Sequence, residues 1–133
     1  MEATTHPSPL PGSFADGVFP AGCPSRILLD HITSKWGVLI LLSLSEGEQR
    51  WSDLRRRAEG ISEKMLAQTL KTLERDGLVS RHAQPVIPPR VDYSLTGKGY
   101  ELSGLLVPLV AWAFDNADDI INGQSSRGAG PGK

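Results

Sequence analysis

One cysteine among 133 residues leaves no internal disulfide framework, and a lone thiol fits a reducing cytoplasm. No apolar run reaches the ~20 residues of a membrane-spanning helix, because Ser43, Ser45 and Pro108 break the longest candidates. The N-terminus lacks a basic segment leading into an apolar one, so no secretory signal is expected. His6, His31 and His82 are far apart, with no second cysteine and no paired carboxylates at ligand spacing. That pattern predicts no metal site and no cofactor. A nucleophile–base arrangement and a phosphate-binding loop are also missing, which argues against an enzyme. The remainder suits a single globular domain with a modest core: 39% of residues are hydrophobic and 22% charged.

A surplus of positive charge is missing too. The net charge is −1, which does not suit a protein that binds polyanions until it is mapped along the chain. Lys35 to Lys98 carries eleven Lys and Arg against eight Asp and Glu, and Glu101, Asp115, Asp118 and Asp119 make the C-terminal part acidic. The middle of the chain is therefore locally basic, by a margin small enough that specific contacts and dimerisation must supplement bulk attraction.

That basic middle contains the most informative stretch, Gly60 to Val79. Leu66, Leu70 and Leu73 recur at i, i+4 and i+7, the spacing of a buried stripe on a helix. Lys64, Gln68, Lys71 and Arg75 recur at i, i+4, i+7 and i+11 on another face, and all are hydrogen-bond donors. Ser62 stands at the N-cap and Gly77 where a left-handed C-terminal cap falls. Leucines on one side with cationic and amide groups on the other suit insertion into a DNA major groove.

The flanking residues complete a domain over residues 23–121. Pro24 is expected to open a first helix at its N1 position, with Ile27, Leu28 and Ile32 on one side. A second helix is expected from about Lys35 to Ser45, with Trp36, Leu39, Ile40 and Leu44 inward. Arg50-Trp51 suits a very short strand. Ser52 is expected to cap a third helix from Asp53 to about Glu59, with Leu54 and Ala58 inward and Arg55, Arg56 and Arg57 outward. After Gly77, Leu78 to Gln84 reads as a strand, Pro85 to Arg90 as a rigid tip, and Val91, Tyr93 and Leu95 as an alternating return strand. Thr96 is expected to cap a last helix, from Gly97 to about Ile121 and bent at Pro108. Its apolar residues cover more than one face, as in helices that bury part of their surface in a partner subunit. Residues 1–22, rich in proline and glycine, are expected to be a flexible arm with Phe14, Val18 and Phe19 able to dock locally, and glycine-rich residues 122–133 a frayed tail. The expected fold class is mainly α with a small β-hairpin: a winged helix-turn-helix of α+β type.

Several short motifs occur in a fixed order. They are Cys23-Pro24, Lys35-Trp36, Leu54-Arg55, Gly60-Ile61-Ser62-Glu63-Lys64-Met65-Leu66, Leu73-Glu74-Arg75-Asp76-Gly77-Leu78-Val79, Pro88-Pro89-Arg90-Val91-Asp92-Tyr93-Ser94-Leu95-Thr96, and Gly99. Together they resemble the HxlR family of bacterial winged-helix regulators, relatives of the MarR group, over roughly Cys23 to Ala113. Thr33-Ser34 departs from the pattern, which has small residues including a glycine before the Lys-Trp pair. The resemblance implies a homodimer, dimerising through its N- and C-terminal helices, on a palindromic, inverted-repeat operator in double-stranded DNA, usually repressing a nearby gene. A two-fold dimer would set two recognition helices in successive major grooves about 34 Å apart.

The DNA-contacting residues expected on these grounds are Ser52, Arg55, Ser62, Glu63, Lys64, Gln68, Lys71, Arg75 and Arg90. Gln68 suits a bidentate adenine contact, and Lys64 and Lys71 suit guanine or phosphate. Arg75 serves equally to offset the helix dipole. Arg90 is read as entering a minor groove or clamping phosphate, against the plainer reading of a solvated hairpin residue. Arg55, Arg56 and Arg57 cannot all face DNA, so one or two are expected to hold phosphates, with Ser52 donating to another. Leu28, Leu105, Leu109, Trp112 and Phe114 are expected at the dimer interface. Cys23, just before a helix start and near Arg26, occupies a position that favours a reactive thiolate. In the family this cysteine often senses oxidants, quinones or other electrophiles. A single thiol restricts such chemistry to a bridge between two copies of Cys23, a mixed disulfide or alkylation. The other reading of Cys23 is a packed or capping residue. Two rival functions stand beside the redox-controlled regulator: the same fold controlled by a small hydrophobic ligand, and a protein-interaction module whose stripe meets an acidic partner.

Overall fold

The structure, a computed structural model, describes residues 22–129. Phe14, Val18, Phe19 and the rest of the expected arm before Gly22 lie outside the described residues, as do residues 130–133. Helix α1 (Pro24–Ile32) begins at Pro24, and α2 (Lys35–Ser45) follows after a sharp elbow of 70°. The elbow explains Thr33-Ser34. Thr33 Oγ1 donates to the Leu29 carbonyl at 2.6 Å, and Ser34 Oγ donates to the His31 carbonyl at 3.0 Å while accepting the Gly37 N–H at 3.1 Å. The Ser34 hydroxyl thus satisfies a terminal carbonyl of one helix and an open amide of the next, and the Thr33 hydroxyl adds a second bond to the Leu29 carbonyl, which also accepts the Thr33 N–H. Gly37 makes the approach feasible, because a Cβ there would stand 2.5 Å from the His31 oxygen.

Strand β1 (Gln49–Arg50) leads directly into α3 (Trp51–Arg57). Ser52 is therefore not the cap that its sequence position suggests. Arg50 is the N-cap, since β1 pairing fixes it in an extended conformation and the Asp53 carboxylate accepts its N–H at 3.3 Å. Helix α4 (Glu63–Arg75) starts at the expected cap, where Ser62 Oγ accepts the Met65 N–H at 3.0 Å. It ends as expected at Gly77, whose φ of +78° allows the Gly77 N–H to reach the Glu74 carbonyl and the Leu78 N–H to reach the Leu73 carbonyl, both at 3.0 Å.

Strands β2 (Val79–Gln84) and β3 (Arg90–Leu95) pair antiparallel from Val79 opposite Leu95 to Gln84 opposite Arg90. β1 adds to the far side of β3, so the expected hairpin is part of a three-stranded sheet in the order β1-β3-β2. Arg90 belongs to β3 and not to the tip. Helix α5 (Gly97–Ala129) is capped by Thr96 Oγ1, which accepts the Gly99 N–H at 3.1 Å. It runs through Pro108 and past the expected end at Ile121.

One core joins these elements. Ile40, Leu41 and Leu44 of α2, Leu54 and Ala58 of α3, and Leu66, Leu70 and Leu73 of α4 pack with Leu78, Val79, Tyr93, Leu95 and Leu106. Fully burying each such leucine contributes ~1.5–3 kcal/mol, so the leucine stripe firmly orients α4. Leu39 differs from expectation: it is exposed, and Leu41 takes the inward place. The peripheral helices bury little. α1 has no buried residue, while Leu28, Leu105, Leu109, Trp112 and Phe114 are all exposed in the single chain, Phe114 by 80%.

Candidate nucleic-acid interface

With its leucines turned into the core, α4 directs Lys64, Gln68, Lys71 and Arg75 into solvent. Among the described residues, no ion pair or hydrogen bond engages any of these four side chains, so their donors are available to an external ligand. Helix α3 lies before α4, joined through Gly60 (φ +94°), and the β2–β3 hairpin follows it. Helix, turn, second helix and hairpin thus follow one another directly along the chain.

The structure separates the other expected contact residues into different roles. Arg55 of α3 pairs with Glu63 of α4 at 2.9 Å, both largely exposed, so they brace the two helices against each other as well as facing outward. Arg56 pairs with Asp53, and Arg57 with Glu46. Of the three consecutive arginines, none is without an internal partner. Ser62 uses its oxygen to cap α4, and Ser52 is exposed in the first turn of α3.

Arg90, read as a groove or phosphate contact, also has an internal partner. Its Nε donates to Asp92 Oδ1 at 3.0 Å, and Asp92 is 1% exposed. The Gln84 amide donates to the other Asp92 oxygen. The Arg90 hydrogen bond, with help from Gln84 and from the charges of Arg90 and Arg50, holds the Asp92 carboxyl below its ordinary 3.8 against burial that would raise it. A buried carboxylate within the wing needs a cation, and Arg90 supplies it. Its side chain remains 39% exposed, so the outer guanidinium edge faces solvent.

Arg50, Arg81 and Asp92 were missed as candidates. Arg81 stands opposite Tyr93 on β2 and lines a cleft of about 370 Å³ with Trp51, Ala67, Leu70, Lys71, Glu74 and Tyr93, between recognition helix and wing. The period-two alternation Val79, Arg81, Ala83 was a signal for its facing, but its neighbour across the cleft lies ten positions away on another element. Arg50 was concealed by its reading as a strand residue. Cys23 is the N-cap of α1, partly exposed; its carbonyl accepts the N–H groups of Arg26 and Ile27 at 3.1 and 3.2 Å, and its side chain makes no cap hydrogen bond. The alternative role as a side-chain cap is therefore not observed.

This architecture defines a winged helix-turn-helix protein of the transcription-regulator class, with α3–α4 as the helix-turn-helix and β2–β3 as the wing. Residues 31–120 match the family described as HxlR-like helix-turn-helix. The chain is 49% identical over 112 residues to the uncharacterized HTH-type transcriptional regulator YtfH of Escherichia coli K12, covering 84% of this chain and 89% of that one. The solved putative transcriptional regulator ytfH from Salmonella typhimurium is 47% identical, with a TM-score of 0.76, covering 81% of this chain and 96% of the other. The redox regulator HypR in its oxidized form is 34% identical, with a TM-score of 0.66, over 71% and 97% of the two chains. The chain belongs to the HxlR-like family of helix-turn-helix transcriptional regulators. Among the described residues, no single helix is long and apolar enough to cross a membrane.

Proposed function

We propose that the protein is a homodimeric repressor that reads an inverted-repeat DNA operator through α4. The observation that carries this reading is the exposed, internally unpartnered row of Lys64, Gln68, Lys71 and Arg75 on a helix whose opposite face is locked into the core. Gln68 and Lys71 are the base readers, Lys64 and Arg75 flank them, and the outer edges of Arg55 and Arg90, with Ser52 and Ser62, hold phosphates. Glu63 acts through Arg55. The exposed apolar faces of α1 and α5, including Leu28, Leu105, Leu109, Trp112 and Phe114, are the dimer interface. A titration of the protein against duplexes from the region upstream of its own gene, over a range of salt concentrations, tests the reading. Tight, salt-dependent binding to a palindrome supports it. No preference for any such duplex over random DNA leaves the interaction-module alternative.

The signal is proposed to act at Cys23, a partly exposed thiol at the start of a helix that bears on the interface. Its position and the redox regulator among the similar structures support this assignment. A second reading, control by a small hydrophobic ligand, is favoured by a mainly apolar cavity of about 220 Å³ between α1 and α5, lined by Leu28, Ile32, Leu78, Leu102 and Leu105 with Lys98 and Glu101 beside them. Release of DNA by diamide separates the two.

A further inference from the structure

The C-terminal end of α4 is the point where both peripheral helices are fastened to the reading head. Asp76, the C-cap of α4, accepts a hydrogen bond from His31 Nδ1 of α1 at 2.8 Å, with the two side chains 31% and 17% exposed. A carboxylate only accepts, so Nδ1 of His31 carries the donated proton. The next residue, Gly77, presents its carbonyl to Thr96 Oγ1, the cap of α5, at 2.6 Å, and the Leu78 carbonyl accepts the Thr96 N–H at 3.0 Å.

The two fastenings differ in stiffness. On the α5 side a Cβ on Gly99 would lie 2.2 Å from the Leu78 oxygen, so backbone packs on backbone with no slack. On the α1 side the helix has no buried residue: the elbow at Gly37 ties it to α2, and toward α4 the contacts include the partial packing of Ile32 and the His31–Asp76 bond. A partly exposed bond of this kind contributes little to global stability. It does fix geometry, because it ties α1 to the residue that terminates the reading helix.

We propose that His31 is a positioning residue: its bond to Asp76 sets the angle between α1 and α4, and thereby the separation of the two reading helices. The inference rests on the dimeric DNA-reading function proposed above. In a two-fold dimer assembled through α1 and α5, a tilt of α4 relative to α1 occurs in both protomers and is doubled across the axis.

The test uses the full chain and duplexes that the wild-type protein selects from a randomised pool, re-made with the spacer one base pair longer or shorter, and as single half-sites. The wild type should discriminate among spacers. His31→Ala and Asp76→Ala, each checked for a wild-type melting temperature, should lose this discrimination by about fivefold or more, the lower range of coupling between distinct sites. Half-site affinity should be unchanged, and His31→Asn, whose amide donates in place of Nδ1, should restore the discrimination. Uniform weakening across all spacers, or unchanged discrimination in the folded variants, overturns the role of His31. Failure of the wild type to select any inverted repeat overturns the underlying DNA reading, a result distinguishable from the first.

Discussion

Replacing Lys71 by alanine isolates what the exposed face of α4 contributes to DNA binding. Lys71 is exposed and, among the described residues, has no ionic partner. Its removal should therefore leave folding within ~0.5 kcal/mol of wild type. Its Cα lies one turn beyond Ala67 and one residue past the buried Leu70, on the exposed face of α4, where it lines the same cleft as Arg81. A base contact of this kind is worth ~1–3 kcal/mol per protomer. Two-fold symmetry removes it twice, for about 2–6 kcal/mol per dimer, which is at least about 30-fold in Kd. The salt dependence identifies the ligand atom. Losing one phosphate contact per protomer reduces the slope of log affinity against log salt by roughly 1.8 for the dimer, whereas losing a base contact relaxes sequence preference. Fluorescence anisotropy across a salt series, with the selected operator and a scrambled duplex, measures both. Unchanged affinity and unchanged slope in a folded Lys71→Ala protein would refute the placement of this side chain at the DNA.

Other outcomes follow from the core, the wing and the thiol. Leu70→Ala, at a site 2% exposed, should lower unfolding free energy by ~2–5 kcal/mol in urea titrations; a loss below 1 kcal/mol would show that the α4 stripe is not a core anchor. Asp92 has its folded value held below the ordinary 3.8, so its contribution to stability is complete above that pH and is lost as pH falls through the folded value. Asp92→Asn should therefore show a flatter loss of stability on acidification than wild type, and identical acid limbs would contradict the Arg90–Asp92 account. Cys23→Ser should abolish release of the operator by diamide in a gel-shift assay. A mutant still released by oxidant would end the proposal that Cys23 is the sensor.

The helices were legible because their determinants are local. Leu66, Leu70 and Leu73 recur with helical period, Ser62 caps the three-residue-distant Met65 amide, and Gly77 alone accommodates a left-handed exit. None of these needs a distant partner to be recognised. The start of α3 was misplaced by comparison, because Arg50 is held extended by Tyr93 and Asp92 on a strand more than forty positions away, and Ser52 offered a sufficient local cap signal. The anchoring of Arg90 was hidden for the same reason. As a proline-flanked arginine it reads as a free wing cation, and its buried counter-ion appears only when the hairpin register brings Gln84, Arg90 and Asp92 together.

The chain's own residues therefore determine the class of fold and the chemistry of the reading face, since periodicity, capping and turn geometry act over a few residues. Which cations stay available to DNA was decided only in three dimensions. Arg55 and Glu63 are close in sequence but meet only because the turn at Gly60 folds α3 against α4. Arg90 is drawn to Asp92, whereas Lys64, Lys71 and Arg75 form no ion pair among the described residues. The tie from His31 to Asp76 spans 45 positions. Hydrogen bonds and ion pairs depend on distance in space, and at such separations that distance is set by packing of the leucine core.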